Sequence, residues 1–211
     1  GDSVQVSPRD QVGGPAFLKH SAWAYGREER SYPVASDLAT DLIRGLVERD
    51  FDVSTSKSLP GGRGIGHAFA FIYERVLNGK RVPMIPIMFN DFFAPNQPTP
   101  GRAYDFGTAI REIVREWPSD KNVCVIASGG LSHFVIDVEL DEWILKALQN
   151  KDVAGLRSLQ RSALQSGTSE ALNWIATAAA ADELSMKPID FIPCYRTPAG
   201  TGCAMGFARW D

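Results

Sequence analysis

Histidine is scarce in this chain, with three in 211 residues, and so is cysteine, also with three. Cys124, Cys194 and Cys203 lack the paired spacing of a zinc site, and an odd number cannot close into a complete disulfide framework. Two of them lie in apolar runs, so buried free thiols in a reducing cytoplasm are expected. No apolar run reaches the roughly 18 residues that a membrane span requires. A signal peptide, with its basic start and apolar centre, is also missing. Charge of one sign is not in excess: the formal net charge is −3, and no basic run offers a grip on nucleic acid. An internal repeat and a low-complexity segment are absent too. What remains is an ordinary globular composition, 44% hydrophobic and 22% charged.

Helical and strand patterns alternate, which predicts an α/β fold with a mixed central sheet flanked by helices in a single domain. Residues 1–35 carry Pro8, Gly13, Gly14, Pro15, Gly26 and Pro33 among Trp23, Tyr25 and Tyr32. They read as one long structured loop, in which Lys19, His20 and Arg27 are candidate ligands, although polar residues in a loop are more often plain surface. Leu38, Leu42, Ile43, Leu46 and Val47 follow at helical spacing after Ser36, with Asp37 suited to the helix dipole. A short strand over 52–56 leads into Leu59-Pro-Gly-Gly-Arg-Gly-Ile-Gly-His67. These glycines match neither a P-loop nor a dinucleotide fingerprint. They let a loop approach a site and present His67 at the start of a helix over 68–77.

An apolar strand over 83–89 precedes a proline- and aromatic-rich loop and a helix over 104–117. Val123 to Ala127 is a five-residue apolar run bounded by turn formers, which predicts a buried strand. Gly129-Gly130 then allows a sharp turn, placing His133 just beyond the strand, where α/β sheets position ligands. A histidine there is a candidate acid/base group or metal ligand, or it pins the loop. Further helices are expected over 140–150 and 151–166. Thr168 or Ser169 reads as the N-cap of the next helix, with Glu170 in its first turn. Two final strands, 188–194 and 203–210, are joined through Arg196 and Thr201.

Gly129-Gly-Leu-Ser-His133, Ser166-Gly-Thr-Ser-Glu170 before a helix with Trp174, and Pro198-Ala-Gly-Thr-Gly202 occur in that order, with Gly66-His67 upstream. Together they resemble the class III extradiol ring-cleavage dioxygenases of the protocatechuate 4,5-dioxygenase catalytic-subunit type, from about Tyr32 onward. The resemblance implies one Fe(II) held by two histidines and a glutamate, with open positions for a catechol and dioxygen. It assigns Glu170 as the carboxylate ligand, His133 as the acid/base residue, and His67 as a neighbour of substrate or oxygen. Ser132, Arg196 and Thr201 fall to substrate binding, although Gly200-Thr201 stands where carboxylate-binding members have Ser-Asn.

The family's two iron-binding histidines lie upstream of anything aligned, and His20 has neither their spacing nor their setting. Residues 1–211, opening on Gly1-Asp2-Ser3, therefore read as the carboxyl-terminal portion of such a catalytic domain. The partners implied are an aromatic diol and dioxygen. The aromatic segments 17–32 and 89–106 suggest a homo-oligomer or a small partner subunit. Two competing readings are a non-catalytic, dioxygenase-like interaction or regulatory subunit, and a hydrolase using Ser132 with His133. Adjacent residues make a poor nucleophile–base pair, which disfavours the hydrolase.

Overall fold

The computed structural model describes residues 4–6, 11–12, 32–55, 66–88 and 90–211. The chain divides into two compact units, Gly1–Met88 and Phe89–Asp211. The α/β expectation holds, with the strands distributed over three small sheets among the described residues.

In the first unit, β1 (Val4–Val6) pairs in parallel with β4 (Val53–Thr55) and antiparallel with β5 (Ile87–Met88). β2 (Gln11–Val12) and β3 (Tyr32–Pro33) form a short antiparallel pair. These strands correct the expectation that residues 1–35 are loop throughout. Proline and glycine mark turns, but Val-Gln-Val alternation between them is enough for a short ladder. Lys19, His20 and Arg27 lie outside the described residues. α1 (Ser36–Val47) buries Leu38, Ala39, Leu42 and Leu46. α2 (His67–Phe71) begins at His67, which is exposed, and continues as a π-helical turn over Ile72–Val76. The Tyr73 ring stacks on Tyr32, with centroids 3.8 Å apart. The glycine-rich loop before Gly66 lies outside the described residues.

In the second unit, α3 (Pro100–Glu116) starts with proline at its first turn, and the Thr99 hydroxyl accepts from Arg102 N–H. α4 (Val138–Gln149) is capped by Asp137 and α5 (Val153–Ser158) by Asp152. A 3₁₀ turn over Ser166–Glu170 leads into α6 (Ala171–Ala180). β6 (His133–Val135), β7 (Met186–Tyr195) and β8 (Thr201–Trp210) form an antiparallel sheet ordered β6-β8-β7. β7 lies at an edge, which tolerates Pro188 and Pro193, and the ladder slips between Pro188 and Asp190.

The core gathers Leu131, Ile144, Leu148, Leu172, Trp174 and Ile175, with Ala204 from the sheet. Each large side chain among them contributes roughly 1.5–3 kcal/mol by leaving water. The run of alanines in α6 gives a smooth surface, and α3 approaches it closely at Gly107. A Cβ on Gly107 would lie 1.9 Å from the Ala176 carbonyl oxygen.

Two expectations are overturned here. Val123 to Ala127 forms no strand, and Val123, Val125 and Ile126 are exposed. An apolar run becomes a strand only when its backbone finds a ladder partner, and pairing here begins past the run, at Leu131. The cysteines are indeed free, but Cys124 and Cys194 are exposed and Cys203 is only partly covered. Cys124 lies in the run that forms no strand, and Cys194 shows that apolar neighbours bury a residue only if its own face of the strand turns inward.

Candidate functional site

The site is built from three chain segments of the second unit: the Gly129–His133 turn, the Ser166–Glu170 turn and strand β8. His133 and Cys203 are register partners, so their side chains emerge on the same face of the sheet. Cys203 Sγ lies 3.2 Å from His133 Nε2, and Glu170 Oε2 lies 3.5 Å from the same nitrogen. The Gly130 N–H donates to that Glu170 oxygen at 2.6 Å. Glu170 therefore reaches across to the glycine turn instead of capping its own helix.

Glycine is required at this turn for space. Gly129 has φ +153°, and a Cβ there would sit 2.9 Å from Glu170 Oε2. A Cβ on Gly130 would come within 2.8 Å of His133 Cε1. Gly167 closes the other side, where a Cβ would be 2.6 Å from His133 Cγ. The imidazole is thus packed between two glycine backbones. Phe134 at φ +65° and Ser166 at φ +55° flank it in the left-handed region, the type of backbone strain that collects at functional sites.

The expected N-caps have other tasks. Thr168 Oγ1 accepts from the His133 N–H at 3.0 Å, and Ser169 Oγ donates to the Ser166 carbonyl at 2.6 Å. Tight 3₁₀ geometry uses these side chains across the turn, so the capping expectation fails. Ser132 is 1% exposed, and its hydroxyl donates to Asp141 Oδ2 at 2.6 Å. The hydroxyl also accepts from Asp137 N–H, so its one donor is committed to Asp141 and one of its two acceptor sites to the backbone. It makes no contact with the imidazole of the kind a hydrolase would use. Thr201 shares the sheet face of Cys203, two residues along β8. Its hydroxyl bonds that of Thr197 at 2.6 Å, and Arg196 N–H donates to its carbonyl at the exposed hairpin turn. His67 belongs to the first unit.

Four residues at the site carried no signal in the sequence. Cys203 is one, and burial, then the Glu170 charge, push its thiol above the usual range. Asp91 is another: burial, then the charge of Glu170, raise its carboxyl, while Asn173 bonds it at 3.5 Å. The Asn173 amide also donates to the Ser128 carbonyl. Asp141 is the fourth, at 0% exposure; burial raises its carboxyl against the lowering effect of two bonds from Ser132. Acidic residues in a loop or a first helical turn look like surface until packing closes over them. Among the described residues, no group of three or more His, Cys, Asp or Glu side chains could hold a metal ion.

What the arrangement offers is a carboxylate oxygen beside an imidazole nitrogen, both partly open to solvent, and comparison with known proteins points the same way. Residues 21–202 match the family model described as the catalytic LigB subunit of aromatic ring-opening dioxygenase. The 2,3-dihydroxyphenylpropionate/2,3-dihydroxicinnamic acid 1,2-dioxygenase of Mycolicibacterium gilvum is 32% identical over 109 residues, 52% of this chain and 33% of that protein. The enzyme of the same name from Paraburkholderia xenovorans is 34% identical over 103 residues, 47% of this chain and 30% of its own length. A gallate dioxygenase of Pseudomonas putida is 28% identical over 101 residues, 46% of this chain and 28% of its own. The matched stretch thus spans about a third of these relatives. With a family match over most of its length and the Gly-Gly turn, His133 and Glu170 brought together, the chain belongs to the catalytic LigB-subunit family of class III aromatic ring-opening dioxygenases.

Proposed function

We propose that this chain carries part of the active site of a non-haem Fe(II)-dependent extradiol dioxygenase acting on a catecholic or gallate-like ring. The observation that carries the reading is the 3.5 Å approach of Glu170 Oε2 to His133 Nε2 in a chain of this family. Glu170 supplies one oxygen donor to the metal. A facial triad needs two nitrogen ligands more, which the described residues do not supply. Iron, when bound, supplies the dioxygen chemistry. His133 takes the proton of a ring hydroxyl at Nε2 and returns it later. Its Nδ1 lies 2.7 Å from the Leu131 carbonyl, which can only accept, so Nδ1 carries a hydrogen and, in the neutral ring, Nε2 is the base.

In this reading Thr201 and Arg196 receive a ring acid group, supported by the place of Thr201 on the face of Cys203. A homo-oligomer or small partner subunit would rest on the aromatic segment 90–106, where Phe92 and Phe93 are exposed. No helix among the described residues is long and apolar enough to cross a membrane.

The test is metal analysis of the complete protein together with catechol turnover in air. One iron per catalytic chain and a yellow ring-fission product are expected. An intact protein that binds no iron and leaves the ring closed would instead be a dioxygenase-like interaction subunit. His133→Ala should lower turnover by about 10²–10⁴-fold with iron retained; equal loss of iron would remove the acid/base role. Gly167→Ala, whose methyl group must displace the imidazole, should cost about 10²-fold in turnover at unchanged iron content. Full activity in that variant would show that His133 needs no fixed position.

A further inference from the structure

We propose that Asp141 is a positioning residue for His133, acting through the single peptide group that joins Leu131 to Ser132. The two ends of that planar group are both engaged. Its N–H, from Ser132, donates to Asp141 Oδ1 at 2.8 Å, and its carbonyl, from Leu131, accepts from His133 Nδ1 at 2.7 Å. Because the amide is rigid and trans, holding one end aims the other.

The ladder explains why the N–H is available. Leu131 N–H donates to the Ala204 carbonyl, and Ala204 N–H donates to the Ser132 carbonyl. Two residues thus face one, as in a β-bulge, and the Ser132 N–H is left without a strand partner. Asp141, reaching back from the first turn of α4, takes that N–H with one oxygen and the Ser132 hydroxyl with the other. A carboxylate on the N–H also polarises the amide and strengthens its carbonyl as an acceptor. The consequence is a preference for the Nδ1–H tautomer of His133, which leaves Nε2 bare toward Cys203 and Glu170.

A buried carboxylate that merely satisfies two donors would have no effect on the ring of His133, and this separates the two roles. The inference rests on the proton-transfer reading of His133, but its test needs neither iron nor turnover, so the two can fail separately. The imidazole nitrogens of the ¹⁵N-labelled 211-residue chain are observed by long-range ¹H–¹⁵N correlation near pH 8, about 1.5 units above the ordinary histidine pKa. The chain has three histidines, and the His133→Ala spectrum assigns the relevant one.

The native chain should show the Nδ1–H pattern at His133. Asp141→Ala should move the tautomer ratio toward Nε2–H by about tenfold, the worth of one hydrogen bond. Asp141→Asn keeps an acceptor without the charge and should move it by about threefold. Ser132→Ala, which keeps the peptide N–H, should leave the ratio within about twofold. An Nε2–H pattern in the native chain overturns the proposal. So does an unchanged ratio in Asp141→Asn with an otherwise native amide spectrum, and that variant decides the matter if Asp141→Ala does not fold. A Ser132→Ala shift as large as that of Asp141→Ala would also overturn it, by placing the effect in the hydroxyl.

Discussion

Glu170→Ala should strip iron from the complete protein and abolish ring cleavage. Glu170 Oε2 is held by the Gly130 N–H at 2.6 Å, which orders the carboxylate before any metal arrives. Its side chain is 35% exposed, so the carboxylate keeps access to a ligand. Loss of a residue that only supports a metal ligand costs about 10–100-fold in affinity or activity, so loss of the ligand itself should exceed 100-fold. The alternative role is a clamp between the Ser166–Glu170 turn and the glycine turn. A clamp would leave iron in place and show its loss in stability, by about 1.5–3 kcal/mol for a bond to a charged group. Glu170→Gln separates the two, since its amide oxygen can still accept from Gly130 while a neutral group holds Fe(II) poorly. Stoichiometric iron in Glu170→Ala, measured by metal analysis, would reduce Glu170 to a clamp.

The largest effect on stability is expected at Gly107→Ala. In an isolated helix this change gains about 1 kcal/mol. Here the new Cβ would meet the Ala176 carbonyl oxygen at 1.9 Å and the Ala179 Cβ at 2.9 Å. Two backbones are in contact, so no side-chain rotation relieves the overlap, and α3 and α6 must separate. Overpacking of this kind typically costs 1–3 kcal/mol, and with backbone involved a net loss of about 3 kcal/mol is expected. For a chain of this size that is roughly 6–12 °C in Tm. Gly101→Ala, on the same helix, is the control. Its Cβ would meet only the Arg157 guanidinium, at 3.6 Å, and the change should be neutral or slightly stabilising. Equal Tm for the two variants, measured by thermal unfolding, would mean that the helices do not meet at Gly107.

The helices were legible because their signals are local. The apolar stripe of α1 repeats at helical spacing, whereas the start of α3 at Pro100, inside a stretch that reads as loop, and the Asp137 cap of α4 emerged only in the structure. β7 and β8 were legible from continuous strand-forming runs, and the double glycine from its punctuation. Val123 to Ala127 shows the limit, since hydrophobicity states a preference for burial and names no partner for the backbone. Thr168 and Ser169 show another, because a capping residue can serve a neighbouring strand when the chain folds tightly.

The sequence alone determined the α/β class and most element positions, since these follow from short-range patterns, while it was the family resemblance, carried by motif order, that singled out His133 together with Glu170. Only the tertiary structure decided which groups surround them. Cys203 meets His133 because β8 pairs with β6, and Asp141 meets Ser132 because Leu131 and Ser132 both face Ala204, which frees one N–H. Asp91 meets the field of Glu170 because two segments about 80 residues apart fold together. Hydrogen bonds act over about 3 Å and charge interactions over about 10 Å, and separation along the chain does not encode which residues come that close.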